Sequence, residues 1–153
     1  MTSVRTAIVV GASSGLGRAI AVEAARAGNA LLLVASDLRD VDALAASLNL
    51  EHGVPVRALA IDFGREPDPG ARIVAALDGL PAASALLLPI GNSRQDDDFS
   101  LDAASIGQLL AINLHAPLAI VHALLPALCE SHGVIVLIGS VAATRGQIGR
   151  AHV

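Results

Sequence analysis

Three residue types are missing from the 153-residue sequence: lysine, tyrosine and tryptophan. All ten Lys or Arg positions are therefore arginine, and phenylalanine occurs only twice. A reaction that needs a tyrosine phenol or a lysine ammonium group cannot be assembled from this chain alone. The single cysteine, Cys129, excludes an internal disulfide and a CxxC metal site. We expect it to be a small buried side chain.

Charge is also scarce in this sequence, whereas apolar residues are abundant. Charged residues make up 16% of the chain, hydrophobic residues make up 54%, and the formal net charge is −4. A negative net charge argues against a nucleic-acid-binding surface. The N-terminus lacks the basic, apolar and small-residue pattern of a secretory signal, so we expect a cytoplasmic protein.

One uncharged stretch, residues 109–129, is long enough to span a bilayer. It contains two prolines and three polar side chains, namely Asn113, His115 and His122. Polar groups and prolines favour a buried, kinked helix over a membrane span. The histidines lie seven residues apart, which is wider than the usual metal-binding spacing, so we expect them to be packing or interface residues.

Apolar stretches of strand length alternate with stretches of helical periodicity. The predicted strands are residues 4–10, 30–35, 54–61, 85–90 and 134–138. The predicted helices are residues 15–28, 37–53, 71–80 and 101–129. This alternation predicts an α/β fold, a doubly wound parallel sheet with strand order 3-2-1-4-5, in one domain over residues 1–153.

The turn between the first strand and the first helix is rich in glycine. It reads Gly11-Ala12-Ser13-Ser14-Gly15-Leu16-Gly17. Glycines let the backbone bend sharply and approach a pyrophosphate, and the amides and dipole of a helix N-terminus attract phosphates. The pattern therefore predicts a dinucleotide-binding loop. The alternative is an ordinary tight turn in which Ser13 or Ser14 caps the helix.

The Gly-x-x-x-Gly-x-Gly spacing of this turn resembles the opening of the short-chain dehydrogenase/reductase family, with Val10 where that family usually has threonine. The resemblance implies a Rossmann-like fold and NAD(P)-dependent interconversion of a small-molecule carbonyl and alcohol. It assigns cofactor binding to the glycine-rich turn and to the ends of the next three strands: Gly11, Ser13, Ser14, Gly15, Leu16, Gly17, Ser36, Asp62, Phe63 and Gly91.

The end of the second strand bears on the choice of cofactor. The acid by which the family selects NAD falls at Ala35, and Ser36 and Arg39 follow it. A small polar residue and an arginine lean towards NADP, whereas Asp37 would repel a 2′-phosphate. Ser36 and Asp37 equally fit a role in capping the second helix. We expect NADP or NAD, with NADP mildly favoured.

Two later stretches match the family unequally. Asp62-Phe63 resembles the pair that contacts the adenine ring, although an aspartate at a strand end is also common in turns. The stretch Leu88-Pro89-Ile90-Gly91 keeps only the glycine of the family's Asn-Asn-Ala-Gly. The following acidic run, residues 96–98, predicts a solvated loop, and we expect no metal.

The resemblance also suggests two catalytic residues. Asn113 corresponds to an asparagine that holds a water in a proton relay, and a helix kink is the alternative reason for an asparagine there. Ser140, at the end of the fifth strand, would donate a hydrogen bond to the substrate carbonyl. The family's Tyr-x-x-x-Lys would begin at Val153, so we expect the domain to be incomplete at its C-terminus and inactive alone.

An incomplete domain would leave the fifth strand as an uncovered apolar edge, which invites pairing with another chain. One alternative is therefore a non-catalytic dinucleotide-binding or regulatory module that a partner chain completes. Another is an α/β domain that binds a different phosphate-bearing ligand. The apolar helix over residues 101–129 also offers a surface for a homo-oligomer.

Overall fold

The computed structural model describes residues 4–92 and 102–139. Within these ranges five parallel strands form a sheet of order β3-β2-β1-β4-β5, as the sequence predicted. The strands are β1 (Thr6–Val10), β2 (Ala30–Ala35), β3 (Val56–Ala60), β4 (Ala83–Leu88) and β5 (Val134–Leu137). Their boundaries agree with the predicted ones to within two residues. β4 ends before Pro89, which has no N–H to donate to a neighbouring strand.

Five α-helices flank the described sheet. They are α1 (Gly15–Arg26), α2 (Leu38–His52), α3 (Pro69–Ala76), α4 (Ala103–Leu110) and α5 (Ala116–Glu130). A π-helical segment, Ala111–His115, joins α4 to α5. α2 begins after Asp37, whose Oδ1 accepts a hydrogen bond from the Asp40 amide at 3.2 Å, and ends at Gly53 with φ +66°. Both signals were predicted from the sequence.

α3 lies earlier than the predicted 71–80 because of two residues before that range. Asp68 Oδ1 accepts a hydrogen bond from the Ala71 amide at 2.9 Å, and Pro69 occupies the first helical position. The N-terminus of α3 then packs directly on α5. A Cβ on Gly70 would lie 2.7 Å from both the Ala119 carbonyl oxygen and the Ala123 Cβ.

The apolar core has two layers, one on each face of the sheet. The layer under α1 and α2 includes Val9, Leu31, Leu33, Val41 and Leu44. The layer under α3 and α5 includes Ile8, Val10, Leu32, Ile73 and Leu124. Because both faces of the central strands are covered, β1 and β2 are buried along their whole length and read as continuous apolar runs.

The long apolar helix is buried on one side only, so the prediction of a buried helix was wrong for its outer face. Ala116, Ile120, Leu124 and Leu128 recur every four residues and are buried against α3 and β4. Leu110, Leu114, Leu118 and Leu125 are 45–61% exposed. By length and composition, Ala103–Glu130 is apolar enough to cross a membrane, a property that core helices of soluble proteins share.

Two further expectations concern polar residues of this helix. Cys129 is exposed rather than buried, because it lies on the outer face near the helix end. His115 and His122 are exposed as well, so neither packs in the core of the described chain.

At the sheet edge, β5 pairs with β4 in the described part, and Val134 and Leu137 are 51% and 64% exposed. The expected apolar edge is therefore present.

Candidate dinucleotide-binding site

The carboxyl ends of the strands surround a cavity of about 600 Å³. It lies where the strand order reverses between β1 and β4, the usual position of a ligand in an open α/β sheet. All ten residues that the sequence assigned to cofactor binding line it: Gly11, Ser13, Ser14, Gly15, Leu16, Gly17, Ser36, Asp62, Phe63 and Gly91. The other lining residues are Ala35, Pro89, Ile90, Asn92, Gln108 and Ile112.

The glycine-rich turn is compact and is fastened to β2. The amides of Gly11 and Ala12 both donate to the Val34 carbonyl, at 2.7 and 3.1 Å. Gly11 has φ +95°, which a residue with a Cβ rarely adopts. A Cβ on Gly17 would lie 2.0 Å from the Gly11 carbonyl oxygen, so only glycine fits there. The turn and the start of α1 thereby pack backbone against backbone.

The start of α1 leaves backbone donors free at the cavity. Ser14 is the N-cap residue, but its side chain makes no capping hydrogen bond. Arg18 is the first amide of this region that donates within the chain, to the Ser14 carbonyl at 3.2 Å. In the described part of the protein, the amides of Gly15, Leu16 and Gly17 therefore have no acceptor. Free amides at a helix N-terminus are suited to an anion.

The loop after β3 presents a paired acceptor and donor. Asp62 Oδ1 accepts a hydrogen bond from the Gly64 amide at 3.0 Å, which fixes the carboxylate beside the loop backbone. The Arg65 Nε lies 3.7 Å from Asp62 Oδ2 on the exposed side. Across residues 4–92 and 102–139, the Phe63 amide has no acceptor. The Asp62 carboxylate and the Phe63 N–H thus stand on adjacent residues at one wall of the cavity.

The loop after β2 separates the two roles that the sequence left open for Ser36 and Asp37. Asp37 caps α2, and Ser36 lines the cavity. The Arg39 side chain is 89% exposed, and its Nη2 lies 3.7 Å from Asp40 Oδ1. Asp37, the residue expected to repel a 2′-phosphate, therefore caps α2 and does not line the cavity, whereas Ser36 does.

Asn113 holds the loop after β4. Its Nδ2 donates to the Asn92 carbonyl at 2.8 Å, and its Oδ1 accepts from the Asn92 amide at 2.7 Å. It lies at the middle of the π-helical segment. Ile112, the residue before it, lines the cavity. The geometry gives the Asn113 side chain a positioning contact to the backbone of the cavity wall.

Ser140, the other catalytic residue expected from the sequence, lies outside the described residues, as does the acidic run at residues 96–98. In the ranges 4–92 and 102–139, no group of three or more His, Cys, Asp or Glu side chains is placed to hold a metal ion. Asn92, Gln108 and Ile112 were missed by sequence reasoning. The only signal that pointed to this part of α4 and the π segment was the asparagine inside a helix.

A parallel α/β sheet with a glycine-rich, amide-lined turn at its switch point defines a nucleotide-binding domain. The family model described as short chain dehydrogenase matches residues 5–152. The chain therefore belongs to the short-chain dehydrogenase/reductase family of oxidoreductases.

Relatives and solved structures agree with this assignment. A very-long-chain 3-oxoacyl-CoA reductase of Anas platyrhynchos is 30% identical over 141 residues, which cover 89% of this chain and 45% of the relative. The short-chain dehydrogenase of Sphingobium yanoikuyae, solved in complex with NADPH, is 34% identical with a TM-score of 0.85, over 97% of this chain and 58% of that one.

A third comparison is with a bulky-bulky ketone specific alcohol dehydrogenase from Comamonas testosteroni. It is 30% identical with a TM-score of 0.87, over 98% of this chain and 60% of that chain. The chain spans about half the length of the curated relatives it matches.

Proposed function

We propose that this chain is the dinucleotide-binding part of an NAD(P)-dependent oxidoreductase that interconverts a carbonyl and an alcohol. One observation carries the proposal: ten residues assigned to a cofactor from sequence, on four separate loops, line one cavity. The free amides of Gly15, Leu16 and Gly17 would bind the diphosphate at the N-terminus of α1. The Asp62 carboxylate and the Phe63 amide are complementary to the amine and ring nitrogen of adenine.

NADP is the cofactor that the site supports better. No acid lines the cavity at the end of β2, because Ala35 and Ser36 occupy that wall and Asp37 caps α2. A serine hydroxyl can donate to a 2′-phosphate, and the nearby Arg39 has an exposed, positively charged side chain. The NADPH complex of the Sphingobium yanoikuyae relative supports this preference.

The chain supplies part of the chemistry of such a reaction. When bound, the nicotinamide ring exchanges a hydride with the substrate carbon. We assign Ser140 the hydrogen bond to the substrate oxygen, and Asn113 the role of holding Asn92 at the cavity wall. The relay water on Asn113 stays a prediction. Because the sequence has neither tyrosine nor lysine, we propose that residues 1–153 form an incomplete domain with little turnover alone.

Binding of the cofactor tests the proposal directly. Binding can be followed by the fluorescence of the reduced nicotinamide. We expect saturable binding of NADPH to the folded chain, and Gly15→Ala to weaken it about tenfold by placing a methyl group among the phosphate-facing amides. Gly15 and Gly28 both have positive φ, and a methyl group added at either one would meet no atom within 4 Å.

Gly28→Ala is therefore the matched control, with the same backbone strain at a distance from the cavity. It should lower the thermal midpoint as Gly15→Ala does and leave the Kd for NADPH unchanged. If neither NADPH nor NADH binds the folded chain, or if both variants weaken binding equally, the glycine-rich turn is not the phosphate site and the proposal fails.

A non-catalytic module completed by a partner chain is the second candidate, and the exposed edge of β5 favours it. It predicts a soluble chain that binds NADPH and associates with a second protein through this edge. The coding sequence beyond residue 153 separates the two: a Tyr-x-x-x-Lys there supports the oxidoreductase, and its absence supports the module. Competition of NADPH by other nucleotides tests the remaining alternative, a site for a different phosphate-bearing ligand.

The apolar outer face of α4 and α5 supports a homo-oligomer, and the prolines and polar side chains within this helix, Asn113 among them, favour no membrane insertion. In this outer leucine face, Leu110, Leu114 and Leu118 lie four residues apart and Leu125 lies seven residues further on, which are spacings with which helices pack against each other. The cytoplasmic location expected from the sequence fits such an oligomer. Sedimentation of the purified chain tests both statements, since a monomer that partitions into lipid vesicles would contradict them.

A further inference from the structure

Gln108 lines the cavity but belongs neither to the glycine-rich turn nor to a strand end. It lies on the second turn of α4 and reaches the loop after β3. A Cβ on Gly64 would lie 3.2 Å from Gln108 Cγ, 3.3 Å from Gln108 Nε2 and 3.4 Å from Asp62 Oδ1. The glutamine amide and the aspartate carboxylate therefore flank the same position, above the bare backbone of Gly64.

Gly64 itself supports a role for this arrangement. Its φ lies outside the left-handed region, so its backbone does not require glycine. What its missing side chain provides is room for the Gln108 amide beside Asp62. In the part of the chain that the structure describes, the Gln108 side chain makes no hydrogen bond, so its donor and acceptor are free to face a ligand in the cavity.

We propose that Gln108 recognises the adenine ring of the dinucleotide, through the N6 amine and N7. This inference rests on the proposed function. The adenine amine has two hydrogens, one directed towards N1 and one towards N7. Asp62 and Phe63 match the N1 side, with an acceptor for the amine and a donor for N1. A glutamine amide matches the N7 side, because its oxygen accepts from N6 and its nitrogen donates to N7.

The chemistry of the three groups makes adenine the base that satisfies all of them. A base with a carbonyl oxygen at C6 would place an acceptor against the Asp62 carboxylate and a ring N–H against the Phe63 N–H. N7, by contrast, contacts Gln108 alone in this scheme. A ligand that lacks only N7 therefore isolates the contribution of Gln108 from those of Asp62 and Phe63.

The test is calorimetric titration of the chain with ADP and with 7-deaza-ADP, in which a C–H group replaces N7. We expect 7-deaza-ADP to bind the unaltered chain about fivefold more weakly, the value of one hydrogen bond. Gln108→Leu should weaken ADP and bind both nucleotides equally. Gln108→Glu, which keeps the length but lacks the N–H donor, should also remove the difference.

Two more variants separate recognition from packing. Gly64→Ala leaves the residue at position 108 unchanged but should reduce the preference for ADP over 7-deaza-ADP, because the added methyl group displaces the Gln108 amide. Ser105→Ala, on the same helix but outside the cavity, should leave both affinities and their ratio unchanged. Equal binding of ADP and 7-deaza-ADP to the unaltered chain would overturn this inference and leave the proposed function standing. Failure of both ADP and NADPH to bind would overturn both.

Discussion

Ser36 lines the cavity at the end of β2, where we propose that the 2′-phosphate of the cofactor binds. Ser36→Asp adds a carboxylate at the cavity wall, where it would repel a 2′-phosphate and accept from a 2′-hydroxyl. We expect the ratio of the Kd for NADPH to that for NADH to rise about tenfold, measured by nicotinamide fluorescence.

Asp37→Ala is the control for this change at the adjacent residue. It removes the cap of α2 and should cost about 1 kcal/mol of folding stability, while the ratio of the two dissociation constants stays the same. A shift of that ratio in Asp37→Ala would mean that Asp37, rather than Ser36, sets the choice of cofactor.

At the scale of single residues, the sequence predicted the parts of the cavity that follow strands. Strand ends are visible as apolar runs that stop at Gly, Ser or Asp, so Gly11, Ser36 and Asp62 could be placed at one edge of the sheet. Gln108 could not be placed there, because its position depends on where α4 lies relative to the loop after β3. That position is set by long-range packing, which local patterns do not encode.

At the scale of helices and strands, the contact between α3 and α5 depends on Gly70. A Cβ there would overlap the Ala119 carbonyl and the Ala123 Cβ, so the two helices would have to separate. We expect Gly70→Ala to destabilise the chain by about 2 kcal/mol, despite the higher helix propensity of alanine. Urea unfolding of this variant beside Val74→Ala, a change on the exposed side of α3, measures the effect. Equal midpoints for the two would contradict a tight helix contact.

The link between the π segment and the β4 loop is testable at a single amide. The Asn92 N–H donates to Asn113 Oδ1, so Asn113→Leu should increase its hydrogen exchange about fivefold or more. Asn113→Asp keeps the acceptor and should preserve the protection of this amide, while losing the bond to the Asn92 carbonyl. If the Asn92 amide exchanges equally fast in all three chains, Asn113 does not hold this loop.

Most of the helix and strand order followed from periodicity, and the departures have local causes. The π segment was not predicted, because π turns are rare and occur inside α-helices, whose apolar periodicity they share. α3 begins earlier than predicted because Asp68 caps it, and the sequence prediction treated that polar, proline-containing stretch as a loop. The uncharged helix was expected to be buried because composition does not show which face of it meets the sheet.

At the scale of the whole molecule, apolar surface remains on the side of β5 and the outer leucine face. Leu114 lies near the middle of that face, so Leu114→Glu should shift the sedimentation of a homo-oligomer towards the monomer. Leu50→Glu, at a leucine that is 89% exposed on α2, is the matched control and should leave the sedimentation unchanged. An oligomer that persists in Leu114→Glu would place its interface elsewhere, with the β5 edge as the next surface to test.

The glycine-rich turn is attached to one side of the sheet. Both amides at its start donate to one carbonyl of β2, and none donates to β4 or β5. The turn that we propose to bind phosphates is thus anchored on the strands that are covered on both faces. We therefore expect the turn to keep its contact with β2 when the β5 edge frays, so the turn should lose its structure later than that edge.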